Sequence, residues 1–165
     1  LKGMMNPNMA LPKIQFYEGK EGLIELYERI LDLRQPIDSF EEKGDLLTFM
    51  PDYPKEFVTK RVERKLFNRC IAPRGNPLNV KDEKKLIEVR YVDAKKYPFS
   101  WHVKICGNMV GIFSFDQHNS VAISIEHDDI VNNFKMLFEF MWSALENQAA
   151  SKAWSAAPAS TNCWT

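Results

Sequence analysis

Of the three histidines in these 165 residues, His102 is the one whose surroundings suggest chemistry. It precedes Lys104 by one spacer in WHVKICGNMVGIFSFD, residues 101–116. On a strand two such residues share a face, and together they suit phosphoryl transfer. The imidazole attacks phosphorus, and the ammonium stabilises the oxygens on which charge builds. One known motif that carries this chemistry is H-x-K-x-x-x-x-D, usually followed by Gly-Ser and Asn, and its active site needs two copies. One histidine attacks while the other protonates the leaving oxygen. Here the aspartate position holds Met109, and Asp116 comes seven residues too late. His118 and His127 are followed by Ser120 and Asp129, so no second His-x-Lys exists. Two identical chains could bring two copies together, but the aspartate would still be missing. No catalytic residue is expected.

Alternation sets His102, Lys104 and Cys106 on one face of this strand and Trp101, Val103 and Ile105 on the other. The simplest expectation is a solvent-facing polar edge, with a ligand-binding remnant as its rival. A shared metal ion fails on distance, since His102 and Cys106 would lie about 13 Å apart at ~3.3 Å per residue. No metal site and no cofactor are expected.

Two further stretches could bind something. YEGKEG (17–22) lies where a strand should meet a helix, and its glycines free backbone N–H groups at the positive end of the helix dipole. Glu18, Gly19 and Lys20 are therefore candidate ligand contacts, with a plain tight turn as the alternative. The second helix carries Lys55, Lys60, Arg61, Arg64, Lys65 and Arg69 against Glu56 and Glu63. Arg61, Arg64 and Lys65, at i, i+3 and i+4, form a candidate phosphate-contacting patch, or simply a solvated helix face. There is no Gly-x-Ser-x-Gly elbow, no His-Glu-x-x-His and no oriented Cys-His pair. The sequence offers no enzyme of its own.

The elements that must position these residues belong to an ordinary globular chain. Hydrophobic residues make up 45% and charged residues 27%, and 22 basic residues balance 22 acidic ones. No overall field draws such a chain to nucleic acid or membrane, and no apolar run approaches the ~20 residues that span a bilayer. Cys70, Cys106 and Cys163 are scattered, which fits reduced thiols in a cytoplasm. Opening on Leu1 suggests a piece of a longer protein. Residues 1–11 are expected to be a flexible lead, 12–146 a single domain, and 147–165 a disordered Ala/Ser-rich tail.

Periodicity supplies the order. PKIQFYEG alternates Ile14 and Phe16 against Lys13, Gln15 and Tyr17, as a strand exposed on one face, and KEGLIELYERILDL places Leu23, Leu26, Tyr27, Ile30 and Leu31 on one helical stripe. DLLTFMP reads as a short buried strand. A helix follows, entered through Asp52 and Pro54 and burying Phe57, Val58, Val62 and Leu66. NRCIAPRG ends in a loop, DEKKL is briefly helical, and IEVRYVD is a strand. WHVKICG, MVGIFSFD and SVAISIEH form a meander whose first turn is Gly107-Asn108. A last helix from Asp128 or Asp129 carries Ile130, Phe134, Leu137, Phe138, Met141, Trp142 and Leu145 inward, with Phe140 off the stripe. The expectation is an α/β fold of order β-α-β-α-β-(α)-β-β-β-β-α, a mixed sheet flanked by helices.

Several stretches together resemble the C-terminal region of TrmB-like transcription regulators, in which a winged helix-turn-helix precedes a phospholipase D-like domain. PKIQFYEGKEGLIELYERIL is similar to the family's opening strand, turn and helix. IEVRYVDAKKYPF and WHVKICGNMVGIFSF are similar to its arginine-bearing strand, Pro-Phe loop and hairpin, and SVAISIEHDDIVNNFKMLFEFMW to its closing strand and helix. The resemblance spans roughly residues 12–145 and adds Arg90 to the candidate ligand contacts. It implies a phospholipase D-like fold, a homodimer, and a small-molecule effector such as a sugar or another polar metabolite. DNA would be bound only through a domain absent from this chain. The rival readings are a phosphodiesterase or nuclease with a degenerate His-x-Lys motif, and a purely structural dimerisation module.

Overall fold

The computed structural model describes residues 11–42, 44–74, 83–98, 100, 102–116 and 118–155. In chain order the elements are β1 (Lys13–Glu18), α1 (Gly19–Asp32), β2 (Ile37–Glu41), α2 (Gly44–Phe49), α3 (Tyr53–Glu63) and β3 (Asn68–Pro73). A single 3-10 turn (Glu83–Lys85) then leads to β4 (Ile87–Val92), β5 (His102–Cys106), β6 (Met109–Ser114), β7 (Val121–Glu126) and α4 (Asp128–Ser155). The seven strands make one mixed sheet in the order β1-β7-β6-β5-β2-β3-β4. Strands β2, β3 and β4 run parallel, and the other neighbouring pairs are antiparallel.

Helices cover both faces. On one, α1 delivers Leu23, Leu26, Tyr27, Ile30 and Leu31 to a core shared with Leu46, Met50, Tyr53 and Phe57 from α2, α3 and the loop between them. On the other, α4 packs Val131, Phe138 and Trp142 against Phe40, Ile71, Val103, Ile105 and Val110. Cys106 pairs with Met109 across the expected two-residue turn, where Gly107 adopts φ 58°. Among the described residues no helix is long and apolar enough to cross a membrane. Cys70 and Cys106 are buried outside any disulfide, and Cys163 lies outside the described residues.

Several expectations about elements are corrected. The second strand is not DLLTFMP but IDSFE, one step earlier, and Gly44–Phe49 is a helix. Leu46 and Met50, four apart, both turn inward at 3% and 0% exposure, which is helical spacing. In α3 the buried residues are Tyr53, Phe57 and Arg61, while Val58 and Val62 are half-buried. Asp52 stands at the N-cap without a side-chain cap bond. In β1 the covered side chain is Tyr17, whereas Ile14 and Phe16 are 49% and 78% exposed. In α4, Leu137 leaves the core stripe and is exposed together with Met136 and Phe140. That helix continues through Ser155 into the Ala/Ser-rich segment. Residues 1–10 and 156–165 of the expected lead and tail lie outside the described residues.

Candidate functional site: a buried ion pair beside a polar cleft

Strand β5 is the middle strand of the sheet, between β6 and β2. Alternation does place His102 and Lys104 on one face, but that face lies under α1 and α3. Both residues are only 2% exposed. The expected solvent-facing edge is thus corrected: periodicity tells which residues share a face, not whether that face is covered.

A charge buried so deeply requires a partner. Lys104 Nζ donates to Glu41 Oε1 at 2.5 Å, and the side chains are 2% and 4% exposed. Glu41 ends β2, where it lies opposite His102, while Lys104 lies opposite Ser39. The ion pair is therefore a diagonal cross-strand contact. The ammonium also sits 4.9 Å from the Phe57 ring centroid and 5.7 Å from that of Tyr27, close enough for cation–π attraction.

His102 Nε2 and the Tyr27 hydroxyl are 2.7 Å apart. Burial, then the nearby Glu41 carboxylate and Tyr53, push the Tyr27 phenol well above its usual range. The group therefore stays a neutral hydroxyl. The imidazole packs edge-on against Phe113 and Phe115 at 5.4 and 4.9 Å between ring centroids. Below this layer Arg61, 1% exposed, donates to the carbonyls of Leu66, Leu86 and Lys85 at 2.5, 2.8 and 2.5 Å. Burial pulls its guanidinium below the ordinary value, with Glu41 opposing.

His102 also lines a cleft of ≈ 730 Å³ where β2 and β6 end and β5 begins. Its walls include the rings of Phe113, Phe115 and Phe134 and the carboxylates of Glu42, Asp45 and Asp116. No lysine or arginine is among its described lining residues. Asp116 also shapes the rim, since its Oδ1 accepts the backbone N–H of His118 and Asn119 at 2.8 and 3.0 Å. The volume falls in the usual range for small-molecule sites, and the place is the ligand edge expected of an open α/β sheet. Among the described residues no three His, Cys, Asp or Glu side chains converge to hold a metal ion.

The structure does not bring the other candidates to this cleft. Glu18 ends β1 and Gly19 and Lys20 open α1, at one edge of the sheet. Gly19 has φ 67° and donates its N–H to the Ser120 carbonyl at 3.0 Å. A Cβ on Gly22 would come within 3.2 Å of the Tyr17 backbone. Both glycines thus have a folding reason to be there. Arg90 is on β4, at the far edge and against the opposite helix layer. Its Nη1 donates to the Trp142 carbonyl at 2.5 Å, and the guanidinium lies 4.1 Å from the Trp142 ring centroid.

The basic patch does not survive intact. Arg61 is interior rather than solvated. Arg64 leans on Asp32 at 3.3 Å, and the exposed Lys65 follows the helix at φ 57°. Sequence reasoning missed Glu41, Tyr27 and the cleft carboxylates as site residues. The sole signal for Glu41 was a carboxylate in a strand segment, IDSFE, which was itself not recognised.

No protein-family model and no curated protein matches the sequence. Among the solved structures that match, three align at a TM-score of 0.56 each. One is TrmBL2, an archaeal chromatin protein with a novel mode of DNA binding, 14% identical over 86% of this chain and 56% of that one. The second is Nuc from Salmonella typhimurium, a phospholipase D family member, 15% identical over 81% of this chain and 95% of that one. The third is NucT from Helicobacter pylori, 10% identical over 81% and 97%. The fold is phospholipase D-like, as the resemblance implies. This chain corresponds to little more than half of TrmBL2.

Proposed function

We propose that this chain is a non-catalytic, effector-sensing and dimerisation domain of a TrmB-like transcription regulator, the DNA-binding part lying outside it. The observation that carries this reading is the state of Lys104. In a phosphodiesterase the lysine must meet the substrate phosphate, whereas here its ammonium is held by Glu41 at 2.5 Å under two helices. Recruiting it would leave a buried carboxylate alone, a change that costs about 3–5 kcal/mol. The carboxylates of Glu42, Asp45 and Asp116 further disfavour an anionic guest in the cleft.

An uncharged polar metabolite, such as a sugar, meets neither obstacle. Aromatic rings beside hydroxyl and carboxylate groups are a common lining for such ligands. Binding better to one arrangement of two paired domains, it would bias the spacing of two DNA-reading heads. The likeness to TrmBL2 supports that context, and exposed Met136, Leu137 and Phe140 offer α4 as the pairing surface.

A second reading, a phosphodiesterase with a degenerate motif, is favoured by one observation: His102 lines the cleft. Hydrolysis of a chromogenic phosphodiester separates the two. The proposal expects no turnover above background for the wild-type chain or for His102→Ala. Turnover by the wild type that is lost in His102→Ala would overturn it.

A further inference from the structure

Three charged side chains lie at least nine-tenths buried where α1 and α3 meet the sheet: Glu41 at 3%, Arg61 at 1% and Lys104 at 2% exposure. Two cations thus face one carboxylate, out of reach of bulk water. The three carbonyls around Arg61 solvate its guanidinium without neutralising it. Lys104 has three N–H donors and gives one of them to Glu41, its other contacts among the described residues being two ring faces. Asn68, 3% exposed, accepts the Ser39 hydroxyl on Oδ1 at 3.1 Å, which leaves its amide NH2 to donate.

Lys104, Asn68 and Arg61 line one small cavity of ≈ 30 Å³ between α3 and the sheet, together with the Glu41 carboxylate and the Tyr27 and Tyr53 hydroxyls. It shares only His102 with the described lining of the larger cleft. Such a space admits one atom-sized guest. The buried charges that line it sum to one positive, which a neutral water would leave uncompensated. We infer that this inner cavity binds a single small monovalent anion, of chloride or bromide size, held by Lys104 and Asn68 in the field of Arg61. The site is independent of the effector reading, being too small for a metabolite.

The test is thermal melting of the full chain in sodium chloride, sodium bromide and sodium gluconate at equal ionic strength, with bromide NMR line broadening as the direct readout. Gluconate is too large for the cavity, so matched ionic strength isolates the site from screening. Chloride and bromide should raise the melting temperature saturably while gluconate does not, and bromide should broaden in excess of a chloride-competed control. Glu41→Gln removes the competing carboxylate and should lower the half-saturating halide concentration several-fold. Lys104→Met and Glu41→Gln each strand a buried charge and can fail to fold, so Glu41→Gln/Lys104→Met carries the loss-of-site test and should show no halide response. Identical melting in chloride and gluconate with no excess broadening, a cavity filled by water only, would overturn the inference. So would a halide response that persists in the double variant.

Discussion

Lys104 and Glu41 are diagonal neighbours on adjacent antiparallel strands, their Nζ and Oε1 atoms 2.5 Å apart and both side chains nearly without exposure. The pair turns a residue spacing that looks catalytic into a structural contact. Removing either partner leaves the other charge buried and alone. Lys104→Met and Glu41→Gln are each expected to destabilise the fold by about 3–5 kcal/mol, and the double variant by much less than their sum. A double-mutant cycle in urea measures this. Additive losses would mean that the two groups do not interact.

Arg61 and the two basic residues just past the end of its helix should separate sharply. Arg61→Lys cannot reproduce three guanidinium bonds to backbone carbonyls, and each such bond to a charged group contributes about 1.5–3 kcal/mol. A loss of at least that size is expected. Arg64→Ala and Lys65→Ala, which touch only a surface carboxylate or solvent, should stay within about 0.5–1 kcal/mol. Denaturant midpoints for the three variants decide it.

This contrast also marks how far the sequence could be read. The helix α1, the strands β3 to β7, the hairpin turn at Gly107 and the start of α4 were all visible as periodic apolar patterns. Strand β2 was not, because IDSFE is held by polar partners distant in sequence: Asp38 with Arg69, Ser39 with Asn68, and Glu41 with Lys104. A run of i, i+3, i+4 basic residues looks solvated whether or not one of them turns inward to reach loop carbonyls. In the site, alternation correctly grouped His102 with Lys104 but could not show that β5 is central and covered on both sides. The cleft arises where β2, β5 and β6 meet, a juxtaposition that no local spacing encodes.

Alkaline pH should unfold the domain earlier than exposed tyrosines and thiols alone would cause. Burial pushes the Cys106 thiol up to about 11, with the Gln35 backbone and Lys104 opposing, and Tyr27 and Tyr53 are raised as well. The unfolded chain releases these protons near the ordinary values while the native state keeps them. The unfolded state therefore binds fewer protons, and stability falls as pH rises. The decline should begin near the ordinary thiol value of ~9 and steepen through 10 to 11. Circular dichroism melts from pH 7 to 11 test the sign; a melting temperature that rises across that interval would contradict it.

The two exposures on α4 give a test of pairing. Phe138 is fully buried and Phe140 is 74% exposed. Phe138→Ala should cost about 3–5 kcal/mol, while Phe140→Glu should leave monomer stability within about 0.5 kcal/mol. If α4 supplies the dimer surface, Phe140→Glu should shift sedimentation from dimer to monomer. A dimer unchanged by Phe140→Glu and by Leu137→Glu would move the interface elsewhere.

The most direct test of effector sensing is thermal melting of the full chain against a panel of neutral sugars, sugar phosphates and nucleotides, with oligomeric state followed in parallel. A ligand at a hundred times its dissociation constant should stabilise the native state by about 2.7 kcal/mol, several degrees for a chain of this size. The account expects a saturable shift from an uncharged member of the panel, weakened by Asp45→Ala in the cleft wall and absent for the phosphorylated members. Shifts confined to the phosphorylated members and nucleotides, or none at all from a stable dimer, would contradict it.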